Sequence, residues 1–184
     1  MANIGWAKKE PIDKMIALWN GSGTINIPNN PESFETLPHG SPVVATSTPN
    51  TFTLIKGFES YETATSATQK VKKEHLLGLT DAFNIGGAVT VSSIDRTSSE
   101  LYDTVVFSGS VATVAGTKYS QAITDGKLSL TYGECNIDNE VSSNQCRTGV
   151  LAEGIVDSSK TVLPLVAVAA DYIKGITDKN LIFA

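Results

Sequence analysis

The chain has 184 residues and a net charge of −5, with 18% charged residues against roughly 25% in an average globular chain. A hydrophobic share of 41% is too high for a disordered acidic tail, and a pI near 5.0 offers no chain-wide attraction for phosphate, which argues against nucleic acid as a partner. Eighteen Ser and twenty Thr take the place of the missing charges, so the composition reads as a soluble, β-rich protein built for contact rather than chemistry. No apolar run reaches the ~18 residues of a membrane span, and the first residues lack the apolar stretch of a signal peptide; no membrane association is expected.

In chain order, Ile12, Met15, Ile16 and Trp19 stand at i, i+3, i+4 and i+7, the spacing of one helical face, with Pro11 suited to a first turn and Asn20-Gly21 to a stop. So short a helix is unstable alone in water. It must dock on its own core, a sister subunit or a partner, and Trp6 and Trp19 suit such a contact as well as they suit a core. Residues 20–42 hold four of the seven prolines, between Pro28 and Pro42, together with Gly21-Ser22-Gly23. They read as an extended linker in which a central strand is not expected. Residues 1–36 are therefore taken as an N-terminal arm and linker, and residues 37–184 as a β-rich domain.

Within that domain, residues 43–46 and 51–56 read as a hairpin around the turn Ser47-Thr48-Pro49-Asn50. Residues 63–79 carry a weak helical stripe of Ala64, Ala67, Val71, His75 and Gly78. Residues 88–94, 104–107, 110–114 and 127–132 read as strands, the last announced by Asp125-Gly126. Residues 133–149 look polar and irregular, and strands return at 149–152, 161–170 and 180–183. Short strands separated by turn residues predict a mainly β fold, a sandwich or barrel-like domain with short helices and the N-terminal arm. Leu181, Ile182 and Phe183 are expected to close the core or a subunit contact.

Chemistry-bearing patterns are sparse. His39 and His75 have no metal-ligand spacing and read as surface residues. No Gly-x-Ser-x-Gly occurs, Gly116-Thr117-Lys118 lacks the upstream glycine of a phosphate loop, and the acidic run 134–140 lacks the order of a calcium loop and reads as solvated. Cys135 and Cys146 could close a short loop worth ~3 kcal/mol in the chain-entropy account, or remain two thiols in a reducing cytoplasm. No catalytic residue, metal site or cofactor is assigned.

Three segments carry a resemblance. Leu37-Pro38-His39-Gly40-Ser41-Pro42-Val43-Val44 resembles the opening strand of bacteriophage capsid decoration and head-fibre proteins. Thr148-Gly149-Val150-Leu151-Ala152-Glu153-Gly154 is similar to a later strand of that family, and residues 161–166 with Leu181-Ile182-Phe183 resemble its closing strands. Relative to the small decoration domains, residues 60–147 would be an insert or elaboration. The resemblance implies a non-enzymatic protein made in the host cytoplasm and carried on the virion surface. There it would bind the major capsid protein, often as a trimer, and reinforce the shell. Trp6, Ile12, Met15, Ile16 and Trp19 would be the partner-binding residues. A phage fibre, tail or other surface-adhesion module is the alternative, and a hydrolase with a non-local site the third reading.

Overall fold

The computed structural model describes residues 19–29, 36–37, 40–73, 75–122, 128–132, 135–137, 144–151, 154–156 and 181–183. These residues are mainly β and contain no helix. The strands are β1 (Trp19–Asn26), β2 (Thr36–Leu37), β3 (Pro42–Ala45), β4 (Thr51–Leu54), β5 (Gly57–Glu59), β6 (Ala64–Lys72), β7 (Ala82–Asn84) and β8 (Ala88–Asp95). They continue with β9 (Tyr102–Thr113), β10 (Lys118–Ser120), β11 (Leu128–Tyr132), β12 (Cys135–Asn136), β13 (Gln145–Leu151), β14 (Gly154–Val156) and β15 (Leu181–Phe183).

Five strands close into a barrel in the order β1-β13-β11-β3-β4. Four of its junctions are antiparallel, and β4 returns to β1 in parallel, with Ile25 opposite Phe52. Closure leaves no strand edge to template aggregation. Alternation places Ile25, Val43, Leu54 and Val150 inside with Ile27, Leu37 and Ile137, and Phe52 packs against them. The barrel core is thus aliphatic. Cys135 of β12 and Cys146 of β13 are joined as a disulfide that lies against it, both buried.

The strands between β4 and β11, from β5 to β10, build a second layer. A four-stranded antiparallel sheet runs β6-β9-β8-β7, and β5 pairs with β10 beside it. Its core is aromatic: the Phe58 ring lies 5.6 Å from Phe83, 5.8 Å from Phe107 and 5.3 Å from Tyr119, with Val71, Val89, Val91, Val105 and Val111 around them. The strict alternation along β9 buries Val105, Phe107 and Val111, while Thr104, Val106, Ser108 and Ser110 face outward. A buried hydroxyl chain ties the far end: Ser60 Oγ donates to Thr113 Oγ1 at 3.1 Å, and Thr113 Oγ1 donates to Gln69 Oε1 at 2.6 Å.

Several expectations are corrected. Residues 63–79 are not helical. Ala64–Lys72 is β6, paired along its length with β9, because period-two burial of Gln69 and Val71 outweighs the weak helical stripe. The linker expected from residue 20 begins instead as a barrel strand: β1 pairs with both β13 and β4 in spite of its glycines, and the Phe52 ring covers Gly23. The two strands expected at 104–107 and 110–114 are one continuous strand, Tyr102–Thr113, which runs through Gly109. The expected irregular segment 133–149 contains β12 and the start of β13, and Ile137 of the supposedly solvated acidic run is buried. The helix at 11–19 and the strand at 161–170 lie outside the described residues, apart from Trp19, which opens β1.

Candidate functional site

Barrel and sheet meet at a cleft of about 360 Å³, lined by Pro28, residues 53–56, residues 81–84, Gln121 and Ala122. Its floor is an ion pair. Lys56 follows β4, Asp81 precedes β7, and both side chains are 1% exposed. Lys56 Nζ lies 2.8 Å from Asp81 Oδ2 and 3.1 Å from Oδ1, and it also donates to the carbonyls of Pro28 at 2.5 Å and Asn29 at 3.0 Å. Asn29 adopts φ +51°, which asparagine tolerates, and so presents its carbonyl to the lysine. The Asn29 side-chain amide donates to Asp81 Oδ1 at 3.1 Å, and the Gly78 N–H donates to Oδ2 at 2.7 Å. Gln121 stitches the rim by accepting from the Lys56 N–H at 3.1 Å.

Gly78 is required by contact. A Cβ there would stand 1.6 Å from the Asn29 carbonyl oxygen, so only glycine allows the sheet to approach the barrel this closely. The next turn is strained: Thr80, a β-branched residue, sits at φ +66°. Burial lowers the proton affinity of Lys56, opposed by the Asp81 charge, and burial raises that of Asp81, opposed by Lys56.

A second polar cluster lies on the sheet. His75 is fully buried, correcting the expectation of a surface histidine. Its Nδ1 accepts from the Leu77 N–H at 3.2 Å, and its Nε2 lies 3.0 Å from Asp103 Oδ2. That arrangement specifies the neutral ring with the proton on Nε2, since a proton on Nδ1 would oppose the Leu77 N–H. Burial, then the Arg96 charge, push its pKa down to about 4, with Asp103 pulling the other way. Lys73 and Arg96 flank Asp103 at 2.7 and 3.3 Å. Both ring nitrogens are engaged inside the fold, so this dyad presents no base to a substrate.

Of the residues singled out from the sequence, Trp6, Ile12, Met15 and Ile16 lie outside the described residues. Trp19 stands opposite Leu151 in the barrel ladder. Leu181, Ile182 and Phe183 form β15, parallel to Gly154, Ile155 and Val156 of β14. His39 is outside the described residues. The residues that sequence reading missed are Asn29, Lys56, Gly78 and Asp81. Lys56 closes the strand-like run 51–56, and nothing periodic links it to an aspartate further along the chain. Among the described residues no group of three or more His, Cys, Asp or Glu side chains could hold a metal.

Comparison with protein-family models, with curated proteins and with solved structures gives no match.

Proposed function

We propose that this chain is a structural accessory protein of a bacteriophage head, made in the host cytoplasm and carried on the capsid surface. It binds the major capsid protein from outside, as a homo-oligomer with a trimer as the expected form, and it stabilises the shell without catalysing a reaction. The observation that carries the reading is the use of the buried ionisable side chains. Lys56, Asp81, His75 and Asp103 are each bonded to other parts of the fold, so their chemistry goes into rigidity. The outward face of β8 and β9, by contrast, includes Thr90, Ser92, Ser93, Thr104, Val106, Ser108, Ser110 and Ala112, with Asp95 at its end as its one charged residue, and is suited to contact. The strands bearing the resemblance, β3 and β13, are both barrel strands that flank β11, which suits a barrel acting as the shared base and residues 57–120, in place of the 60–147 expected from the resemblance, as its elaboration, because β11 and the start of β13 lie in the barrel.

Contact would draw on exposed apolar and aromatic side chains. Leu101 is 67% exposed, and beside it Tyr102 pairs with Tyr61 at 5.1 Å between ring centroids. Tyrosines with one apolar and one wet end are favoured at such surfaces. Residues 1–18, with Trp6, Ile12, Met15 and Ile16, would supply the anchoring arm.

The test is co-sedimentation of the purified chain with phage particles, followed by quantitative mass spectrometry of the pellet. Saturable binding at copy numbers on the scale of the capsid protein is the expected result, and it should fail after removal of residues 1–18. A few copies per particle would move the reading to a fibre or tail protein, and no binding would overturn it.

A further inference from the structure

We propose that Lys56 and Asp81 are positioned to condense into an intramolecular amide, a covalent tie between the barrel and the sheet. Four features of the site converge on this reaction. The nucleophile and the carboxyl are in contact, at 2.8 and 3.1 Å, with both side chains 1% exposed. Holding reactants in this way replaces an encounter with a fixed approach, the largest entropic advantage available to a condensation. The carbonyls of Pro28 and Asn29 accept two N–H bonds from Nζ, the number a neutral amine has to give. With both hydrogens directed there, the lone pair is left to face the carboxyl carbon. The carboxyl is polarised as an acyl acceptor, because the fixed backbone N–H of Gly78 holds Oδ2 and the Asn29 amide holds Oδ1. Finally, the site opens on the cleft, through which a released water can leave.

The step balances without a co-reactant. One ammonium proton passes to the carboxylate, giving amine and carboxylic acid; burial, which disfavours both charged forms, brings this neutral pair within reach. The Nζ lone pair then attacks Asp81 Cγ. The negative charge develops on Oδ2 against the Gly78 N–H. Oδ1 leaves as water, carrying the carboxyl proton and one proton from the amine, and a C–N bond replaces the C–O bond. Nothing is oxidised or reduced. The product lies where water is scarce, which disfavours hydrolysis.

The alternative is an ion pair and nothing more, and the mass of the chain separates the two. The full-length protein, folded, incubated, then reduced and denatured, is expected to weigh less than its sequence by one water. Trypsin should then fail to cut after Lys56, leaving residues 15–70 joined to residues 74–96. Lys56→Arg, which keeps the charge but not the primary amine, and Asp81→Ala should both show the full mass. Asn29→Ala should slow the conversion. Full mass in the wild-type chain after prolonged incubation of the folded protein overturns the proposal. A missing water that maps to residues 119–127 also overturns it, because it marks a succinimide at Asp125-Gly126. The wild-type measurement decides the matter even if a variant fails to fold.

Discussion

The barrel and the sheet are stabilised by different means. The barrel pairs strands from distant parts of the chain: Asn26 lies opposite Gln145, and Leu130 opposite Pro42. Its core is aliphatic, and a disulfide secures it. The sheet is contiguous in sequence, from β5 to β10, and it combines an aromatic cluster with buried ionic groups around Asp103. Local pairing carries a low loop-closure cost, whereas the barrel must first close a loop that contains the whole sheet. The sheet is thus the part able to form early, and the barrel the part that needs it in place. The Lys56–Asp81 pair joins the segment after β4 to the segment before β7, while the disulfide closes a short loop between β12 and β13.

Substitutions that act on one region or on the junction sharpen this contrast. Phe107→Ala removes a buried ring packed against Phe58 and Phe83 and should cost about 3–5 kcal/mol, read by urea unfolding. Because the barrel depends on the sheet, both should unfold in a single transition. Gly78→Ala should cost at least about 3 kcal/mol, since backbone rather than a movable side chain opposes the new Cβ. Here the regions should separate, and two transitions in place of one would mark the uncoupling. Replacing both Cys135 and Cys146 with serine should cost about 3 kcal/mol through the freed loop, with the near-ultraviolet signal of the sheet aromatics retained in the folded state.

Acid should act on the sheet through His75. Its folded pKa of about 4 lies below the ordinary 6.5, so between these values the unfolded chain binds the extra proton. The stabilisation from the neutral ring is complete above pH 6.5 and is lost as pH falls toward 4, by about 3 kcal/mol. Urea midpoints measured across that window should fall more steeply for the wild type than for His75→Gln. The smallest effect is a gain: Thr80→Asn relieves a β-branched residue at φ +66° on an exposed turn and should add about 0.5–1 kcal/mol. An unchanged midpoint would show that the turn carries no net strain.

The legible parts of the fold are those whose signal is local. The β3–β4 hairpin, with its turn at 47–50, and the alternation of Leu128, Leu130 and Tyr132 in β11 are written in neighbouring residues, and both are strands in the structure. The sequence was misleading where a partner overrides local preference. Gly21 and Gly23 spoke against a strand, yet β13 pairs with Gly23, β4 pairs with the three residues that follow it, and Phe52 supplies the packing that Gly23 lacks. The stripe in residues 63–79 matched a helix weakly, until pairing with β9 imposed a period of two.

By itself the sequence determined the β-rich class, the low surface charge and the sparseness of catalytic motifs, because composition and alternation are properties of neighbours and totals. Only the tertiary structure decided that five distant strands close a barrel, that His75 is buried and neutral, and that Asn29, Lys56, Gly78 and Asp81 meet at one point. Such a meeting depends on chain closure and desolvation, and neither has a period along the chain.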